Sequence, residues 1–425
     1  MSGMNSDAIP PHAHHSDSIQ AGELRSPVEE TLHRVLEQTR SCEPGVVADY
    51  IPELATADPG ANGIALVSVR GRVYRAGDCD HEFTIQSISK AFVYAMAVDQ
   101  LGLEEVHRHV GYEPSGEPFN AISMDARGRP QNPMINAGAI VTSALIPGAD
   151  PEARFTAIRK VLSAFAGHPL GFSEGVFASE YATGHRNRAL ANLALATGVL
   201  PRSVDDAVTV YFQQCSLLVT AADLAVMGST LANDGRNPVT GEQVVSPTAA
   251  RHAMSVMNSC GMYDRSGQWQ LEVGIPAKSG VGGGIVALKP GLFGVGVFSP
   301  PLDAAGNSAR GVAALKLLSN DYGFHVLRHP DTPASPVAGI EVSGEHDEHV
   351  TIRLRGDLDF VATEQIVTDL RESLQRPQPP RHVTIDLSAV SRLRPVSATL
   401  LRLSAQRAAE IGIEFEIVDP SGLNG

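Results

Sequence analysis

Residues 84–94 read TIQSISKAFVY and place a serine, Ser87, three positions before a lysine, Lys90. Lysine is scarce in this chain, which has five lysines among 33 basic residues. Apolar residues recur with helical period after residue 86 and Gly102 is a stop signal, so residues 86–102 are predicted to form a helix that follows a strand. Because residues i and i+3 share a helix face, Ser87 and Lys90 are predicted to lie together in its first turn.

The chemistry of this pair is that of a nucleophile and its base. A serine hydroxyl becomes nucleophilic when a neighbouring base takes its proton, and a buried lysine can be that base in its neutral form. The start of the predicted helix would add free backbone N–H groups and positive potential, which stabilise an oxyanion and lower the lysine pKa. The Ser-x-x-Lys motif alone is weak, since roughly 0.4 matches are expected by chance in this composition.

A second motif, Lys278-Ser279-Gly280, lies far downstream at the start of a predicted strand. Its chance expectation is about 0.06, and both motifs in this order are expected by chance on the order of 0.02 times. Ser-x-x-Lys on an early helix with Lys-Ser/Thr-Gly on a late strand is typical of serine β-lactamases and penicillin-binding proteins. The glycines that follow at 282–284 are predicted to let a substrate approach the strand backbone closely.

The hydrophobic pattern around the two motifs predicts an α+β fold. Residues 63–77, GIALVSVRGRVYRAG, alternate on both sides of Arg70-Gly71 and predict a β-hairpin. Strand patterns return at residues 276–301, and the chain between is mostly helical. We therefore predict a β-lactamase/penicillin-binding-protein-like domain over residues 26–328, with an antiparallel sheet and a helical subdomain.

The two ends of the chain differ from this central part. The polar residues 1–25 are predicted to be a disordered tail. The three prolines in RHPDTPASPVAG, residues 328–339, predict a linker that we place at 329–336. Strand and helix patterns then alternate over residues 337–425, which predicts a small α/β domain with a mixed or parallel sheet.

Composition and charge exclude several classes of partner. The 425-residue chain has a formal net charge of −14, which opposes nucleic-acid and anionic-membrane binding, so a small-molecule partner is expected. Four dispersed cysteines indicate neither a zinc site nor a disulfide framework, and we predict no metal. His12, His14 and His15 lie in the tail and would have no fixed geometry for a metal ion. Without a signal peptide or a membrane-spanning run, the expected location is cytoplasmic.

The order of several longer motifs makes the chain resemble the serine-dependent glutaminase family through most of residues 28–325. That resemblance implies hydrolysis of L-glutamine to glutamate and ammonia, with no metal or organic cofactor. It also implies a homo-oligomer, a dimer or a tetramer. The stretches that carry it are DYIPELA, TIQSISKAF, VGYEPSGEPFN, QNPMINAGAI, FASEYATGHRN, VYFQQCS, LANDGRNPVTGE, SCGMYDRSGQ, PAKSGVGGG and SPPLDAAGNS.

The resemblance also implies a role for each site residue. Ser87 would be the acylated nucleophile, Lys90 its base and Tyr263 a partner in proton transfer. The backbone N–H groups of Ser87 and Val281 would form the oxyanion hole. Tyr50 would line the pocket. Four other side chains would hold the amino-acid end of glutamine: Asn136, Glu180, Asn187 and Tyr211. Among them, the carboxylate would bind the substrate ammonium and the neutral donors would bind the substrate carboxylate.

Two other functions remain open from the sequence. Taken singly, the asparagines could cap helices, Glu180 could be solvated and the tyrosines could be core residues. A β-lactam or peptide hydrolase of the same superfamily is one alternative, which Glu180 and the QNPMINAGAI and GMYDRSGQ stretches disfavour. A glutamine-sensing regulatory protein is the other, which an intact Ser87 and Lys90 disfavour.

Residues from about 337 onward resemble a STAS domain, the fold of anti-sigma-factor antagonists, through RLRGDLDF, VTIDLSAV and IEFEIVDPSG. Those domains usually carry an Asp-Ser pair whose serine is phosphorylated. Here Arg394 and Pro395 occupy the matching positions, and proline has no hydroxyl, so that switch is expected to be lost. Ser397 lies nearby as a candidate substitute. The resemblance implies dimerisation or docking of a protein partner, and less strongly nucleotide binding.

Overall fold

The computed structural model describes residues 26–422 apart from 43–44, 116–123, 329–334, 345–347 and 375–378. The chain divides into two compact units, one ending at Arg328 and the other following it. The tail predicted for residues 1–25, with its three histidines, and most of the linker predicted for 329–336 lie outside the described residues.

The first unit is built on a five-stranded antiparallel sheet. Its strand order is β2-β1-β7-β6-β5, so the strand nearest the start of the chain pairs with the last strand of the unit. The predicted hairpin is confirmed, with Gly71 at a φ of 79° in its turn. The strands are β1 (Gly63–Ser68), β2 (Val73–Gly77), β5 (Ala277–Ser279), β6 (Gly284–Lys289) and β7 (Phe293–Phe298). A separate two-stranded sheet pairs β3 (Phe83–Thr84) with β4 (Leu218–Val219).

Thirteen described helices belong to this unit, and the sheet prediction with a helical part between its strands is confirmed. They are α1 (Pro27–Thr39), α2 (Pro52–Ala55), α3 (Ser89–Leu101), α4 (Leu103–His109), α5 (Asn136–Leu145), α6 (Pro151–Ala166), α7 (Glu174–Thr183), α8 (His185–Ala196), α9 (Val204–Cys215), α10 (Ala221–Ala232), α11 (Pro247–Cys260), α12 (Ser266–Glu272) and α13 (Ala309–Tyr322).

Helix α10 lies against the sheet because two glycines of β7 leave room for it. A Cβ atom on Gly294 would lie 2.1 Å from the backbone nitrogen of Ser229, and one on Gly296 would lie 2.0 Å from the carbonyl oxygen of Ala221. Real Cβ atoms do not approach so closely, so a side chain at either position would push the helix away. Every residue of α10 except Asp223 is buried.

The helical subdomain has an apolar cluster of its own, to which α5, α8 and α9 contribute. Helix α3 joins this subdomain to the sheet and is buried over its first ten residues, Ser89 to Val98. A helix that is apolar on all sides is expected in the interior of a large domain. The start of α3 is therefore held between the two halves of the unit.

The second unit is a four-stranded sheet with two helices. The strand order is β11-β10-β9-β8, with parallel pairing of β9, β10 and β11 and antiparallel pairing of β8 with β9. The mixed sheet agrees with the prediction, but β8, which begins directly after the proline-rich linker, was not predicted as a strand. The elements are β8 (Val337–Ser343), β9 (His349–Leu358), α14 (Phe360–Leu374), β10 (His382–Leu393), α15 (Pro395–Glu410) and β11 (Glu414–Val418).

The positions that match the usual phosphorylation site of STAS domains lie at the start of α15. Pro395 is the first residue of that helix, a position that needs no backbone donor. Ser397 is fully buried and donates a hydrogen bond of 2.8 Å to the carbonyl oxygen of Leu358. Its hydroxyl therefore serves the packing of α15 on β9 and is closed to a kinase.

None of the helices in the described ranges combines the length and the hydropathy that a membrane crossing requires. Across the same ranges, no group of three His, Cys, Asp or Glu side chains is arranged to hold a metal ion. All four cysteines are free thiols, and three of them are buried: Cys79, Cys215 and Cys260.

Candidate active site

Ser87 lies in a single 3-10 turn, Gln86–Ile88, directly before α3. The predicted helix thus begins three residues later than its pattern indicated. The reason is Gln86, whose φ of 49° is left-handed and ends any regular helix there. The hydroxyl of Ser89 donates a 2.7 Å hydrogen bond to the carbonyl oxygen of Gln86 and holds this turn.

Seven of the nine predicted site residues line one cavity of about 340 Å³, which we call the substrate cavity. It is bounded by the 3-10 turn, by α5, α7, α8 and α9, and by the loop after β5. The seven residues are Tyr50, Ser87, Asn136, Glu180, Asn187, Tyr211 and Val281. The other two, Lys90 and Tyr263, contact these residues from behind.

Lys90 is fully buried, and its amine contacts Asn136, which lines the substrate cavity. Its Nζ donates to Oδ1 of Asn136 at 2.6 Å and to the carbonyl oxygen of Met134 at 3.4 Å. Burial lowers the pKa of Lys90 to about 8, and the carboxylate of Glu180 opposes part of that fall. Within the described ranges no hydrogen bond joins Lys90 to Ser87; Ser87 lies in the 3-10 turn and Lys90 in the first turn of α3.

Tyr263 contacts the Ser87 side chain directly. Its phenol interacts with the Ser87 hydroxyl and also donates 3.1 Å to the carbonyl oxygen of Ser279. Burial raises the pKa of Tyr263, so the phenol keeps its proton at neutral pH. Like Gln86, Tyr263 has a left-handed backbone, with a φ of 56°. Strained residues of this kind cluster at functional sites.

The groups predicted to line the cavity or hold an amino acid form two hydrogen-bonded sets on its far wall, one of three residues and one of two. Asn136 donates to Asn187 Oδ1 at 2.9 Å and accepts from the Tyr211 hydroxyl at 3.3 Å. The Tyr50 hydroxyl donates to Glu180 Oε1 at 2.8 Å, although the Tyr50 residue is 50% exposed. Burial raises the pKa of Glu180, while the Tyr50 hydrogen bond lowers it by a smaller amount. The wall thus offers one carboxylate and several neutral groups.

Five further residues line the substrate cavity that the sequence did not single out: Gln86, Thr183, Gly184, Arg186 and Cys215. Gln86 precedes Ser87, and its Oε1 lies 3.4 Å from the Tyr50 hydroxyl. Burial raises the pKa of the Cys215 thiol to about 12, so this cysteine is inert. Adjacency to predicted residues was the one signal available for Gln86 and Arg186.

The Lys-Ser-Gly motif supplies a second buried lysine behind Tyr263. Lys278 Nζ donates 2.6 Å to the carbonyl oxygen of Ser279, the acceptor that Tyr263 also uses, and lies 4.3 Å from the centre of the Tyr263 ring. Burial and the charge of Lys90 both lower the pKa of Lys278. Its contacts place Lys278 under the tyrosine.

The glycines at the end of the motif and after it pack closely against protein, and the approach of a substrate to this backbone stays a prediction. A Cβ atom on Gly280 would lie 3.0 Å from Ile88, and one on Gly282 would lie 2.8 Å from the carbonyl oxygen of Thr84. The segment that carries Ser87 fills the space beside both glycines. The glycines therefore let the loop after β5 pack tightly on the 3-10 turn.

A serine in a turn between an antiparallel sheet and a helical subdomain, opposite a Lys-Ser-Gly strand, is typical of the β-lactamase-like class of serine enzymes. Within that class, the family model described as Glutaminase matches residues 45–327, and the STAS domain model matches residues 342–422. The chain belongs to the glutaminase family and carries a C-terminal STAS domain.

Individual relatives agree with this assignment. The chain is 51% identical over 321 residues to Glutaminase 2 of Bradyrhizobium diazoefficiens, an alignment that spans 75% of this chain and about half, 51%, of that relative. It is 42% identical over 399 residues to the Glutaminase of Corynebacterium glutamicum, covering 93% of this chain and 95% of the relative. The crystal structure of Mglu superimposes with a TM-score of 0.86 at 40% identity and covers 94% of this chain and 100% of that one.

Proposed function

We propose that this protein hydrolyses L-glutamine to L-glutamate and ammonia through a covalent glutamyl ester on Ser87. The observation that supports it most directly is the placement of Ser87 beside a lysine with a lowered pKa and a tyrosine with a raised pKa. The adjoining cavity is lined by one carboxylate and several amides. Membership of the glutaminase family supports the same substrate. Mglu has also been crystallised in a glutamate form.

The amino-acid end of glutamine is bound by the far wall of the substrate cavity. The Glu180 carboxylate accepts from the substrate ammonium, and Asn187 and Tyr211 donate to the substrate carboxylate. Asn136 lies between these groups and Lys90, at 2.6 Å from its amine. Substrate that bonds to Asn136 therefore competes for the hydrogen bond that occupies Lys90, which frees the amine for Ser87.

Acylation begins when the neutral Lys90 amine takes the proton of Ser87 Oγ. The oxygen attacks the side-chain amide carbon of glutamine, and the resulting oxyanion lies near the backbone N–H groups of Ser87 and Val281. The protonated Lys90, with Tyr263 as its partner in proton transfer, returns the proton to the amide nitrogen. The carbon–nitrogen bond then breaks, ammonia leaves, and an ester joins the glutamyl group to Ser87.

Deacylation repeats the proton transfer and the nucleophilic attack, with water in place of Ser87. The neutral Lys90 takes a proton from a water molecule, and the hydroxide attacks the ester carbon. Ser87 Oγ leaves and recovers the proton, which releases glutamate and restores the resting enzyme. No metal or organic cofactor takes part in these steps.

The test is release of ammonia and glutamate from L-glutamine by the parent and by the Ser87→Ala variant. We expect equal amounts of both products from the parent and a loss of several orders of magnitude in the variant, as is usual when a nucleophile is removed. Ser255→Ala, an exposed serine on α11, is the matched control and should behave like the parent. Full activity in Ser87→Ala would show that Ser87 is not the nucleophile.

The two alternatives predict other results in the same assay. A folded parent that binds glutamine without releasing products would support a sensor. Hydrolysis of the β-lactam nitrocefin without hydrolysis of glutamine would support the other hydrolase. Self-association as a dimer or tetramer, a cytoplasmic location and a protein partner for the STAS domain stay predictions.

A further inference from the structure

Helix α7, which carries Glu180, packs against a short segment of the chain around Tyr50. We call residues 50–54, YIPEL, the Tyr50 segment; it leads into the single-turn helix α2. Ile51 and Leu54 of this segment are buried and form an apolar cluster with Val176 of α7. These contacts hold the Tyr50 segment beside the helix that supplies the carboxylate of the substrate cavity.

Two hydrogen bonds join the Tyr50 segment to consecutive residues of α7. The Tyr50 hydroxyl donates to Oε1 of Glu180 at 2.8 Å. In the opposite direction, the Ser179 hydroxyl donates to Oε1 of Glu53 at 2.9 Å. Consecutive residues of a helix point about 100° apart, so the two bonds together resist rotation of α7 about its axis. The direction of the Glu180 side chain is fixed as a result.

Glu53 also brings a second negative charge to this part of the site. Burial is the main cause that raises the pKa of Glu180, and the charge of Glu53 raises the same pKa further. Glu53 itself is absent from the described residues that line the substrate cavity. Its charge therefore acts on Glu180 from outside the cavity.

The carboxylate of Glu53 is only partly satisfied by the protein. Its second oxygen, Oε2, is buried and accepts no hydrogen bond from any described residue. Removing a carboxylate oxygen from water without a donor costs free energy, and repulsion between Glu53 and Glu180 adds to that cost. A cation bound at Glu180 offsets both costs, because each carboxylate attracts it.

The proposed function, on which this inference rests, supplies such a cation as the α-ammonium group of L-glutamine. We propose that Glu53 is a positioning residue that selects for this group, since it holds α7 through Ser179 and adds negative potential behind Glu180. A substrate without the ammonium group gains nothing from this potential. Glu53 thus favours amides of α-amino acids over amides of simple carboxylic acids.

The first experiment removes the charge of Glu53 and keeps its shape. Glu53→Gln retains an oxygen that can accept from Ser179. We expect KM for L-glutamine to rise about tenfold and kcat to stay within about twofold, because attraction of the ammonium acts on bound substrate and transition state alike. The melting temperature should not fall, since the variant removes a partly buried charge. A parental KM, or a fall in kcat with an unchanged KM, would overturn the inference.

The matched control is Glu174→Gln, which removes the same charge from an exposed position on the same helix. Water and salt screen a charge at such a position, so the parental KM should be retained. A rise in KM as large as that of Glu53→Gln would attribute the effect to net charge and would also overturn the inference.

The second experiment uses a substrate without the ammonium group. Glutaric acid monoamide is L-glutamine with a hydrogen atom in place of the α-ammonium, and its hydrolysis releases ammonia in the same assay. For this substrate, kcat/KM of Glu53→Gln should equal that of the parent, or exceed it because a negative substrate is repelled less. An equal fall in kcat/KM for both substrates would indicate a purely structural role of Glu53 and contradict the inference.

The outcomes separate this inference from the proposed function. A parent that releases no ammonia from L-glutamine would overturn the proposed function itself. A parent that hydrolyses L-glutamine, beside a Glu53→Gln variant with the parental KM, would overturn the inference alone.

Discussion

At the scale of single residues, the burial of Lys90 lowers its pKa, and the proposed reaction depends on this change. An exposed lysine is almost wholly protonated at neutral pH and cannot act as a base. Burial lowers the pKa of Lys90 to about 8, so about one molecule in ten carries the neutral amine at pH 7. The neighbouring Glu180 carboxylate keeps the pKa from falling further.

The pH dependence of kcat/KM should report this lysine. Because the neutral amine is the active form, kcat/KM is expected to rise about tenfold per pH unit well below 8 and to level off above it. A pH profile between 6 and 9.5 measures the effect. Lys160→Met, which changes an exposed lysine on α6, should leave the profile unaltered. A flat profile over this range would mean that Lys90 is not the base.

At the scale of helices and strands, the elements that could be predicted from the sequence are those with a long periodic pattern of apolar residues. The β1–β2 hairpin, the strands after Lys278 and the helical stretch between them all follow from alternating or helical periodicity. The two-residue strands β3 and β4 are too short to show a period. Strand β8 was missed because the prolines before it resemble a linker. Family motifs pointed to nine candidate site residues, of which seven line the substrate cavity. The turn at Gln86 depends on side-chain contacts that no local pattern encodes.

One of those contacts predicts a positioning residue on α9. Buried Gln214 donates 3.2 Å to Ser89 Oγ and accepts 2.7 Å from Ser143 Oγ, while Ser89 holds the strained carbonyl of Gln86. Gln214→Leu is expected to lower kcat by roughly 10- to 100-fold through misplacement of Ser87. KM should change little, since Gln214 does not line the substrate cavity.

Steady-state kinetics of Gln214→Leu beside Gln213→Leu test this role. Gln213, the preceding residue, turns away towards Glu152 and should tolerate the change. Gln214→Leu should also lose roughly 1–3 kcal/mol of stability, because buried hydroxyl groups lose a partner. The positioning role would be refuted if the variant were destabilised but kept the parental kcat.

At the scale of the whole molecule, the two units have separate hydrophobic cores. The fully buried core of the second unit comprises described residues between Val350 and Ile413, and Val337, Phe415 and Ile417 pack against it. Every predicted catalytic and binding residue lies in the first unit, before Arg328. Units with independent cores are able to fold alone.

Removal of residues 337–425 should therefore leave glutamine hydrolysis measurable. The physical reason is that no residue of the substrate cavity belongs to the removed part. Ammonia release by the truncated chain, with Ser87→Ala in the same background as the blank, provides the measurement. A truncated protein that is folded by circular dichroism yet inactive would contradict this independence.

The strand order of the main sheet also determines when this sheet can be completed during synthesis on the ribosome. Strand β1 lies between β2 and β7, and roughly 230 residues separate the start of β1 from the end of β7. At about 5–20 residues per second, translation needs roughly 10–45 s to supply that partner. Throughout this interval the hairpin has an open edge, which nascent-chain chaperones are expected to cover. A message that ends before codon 277 would yield a chain with Ser87 and Lys90 but no completed sheet to hold them.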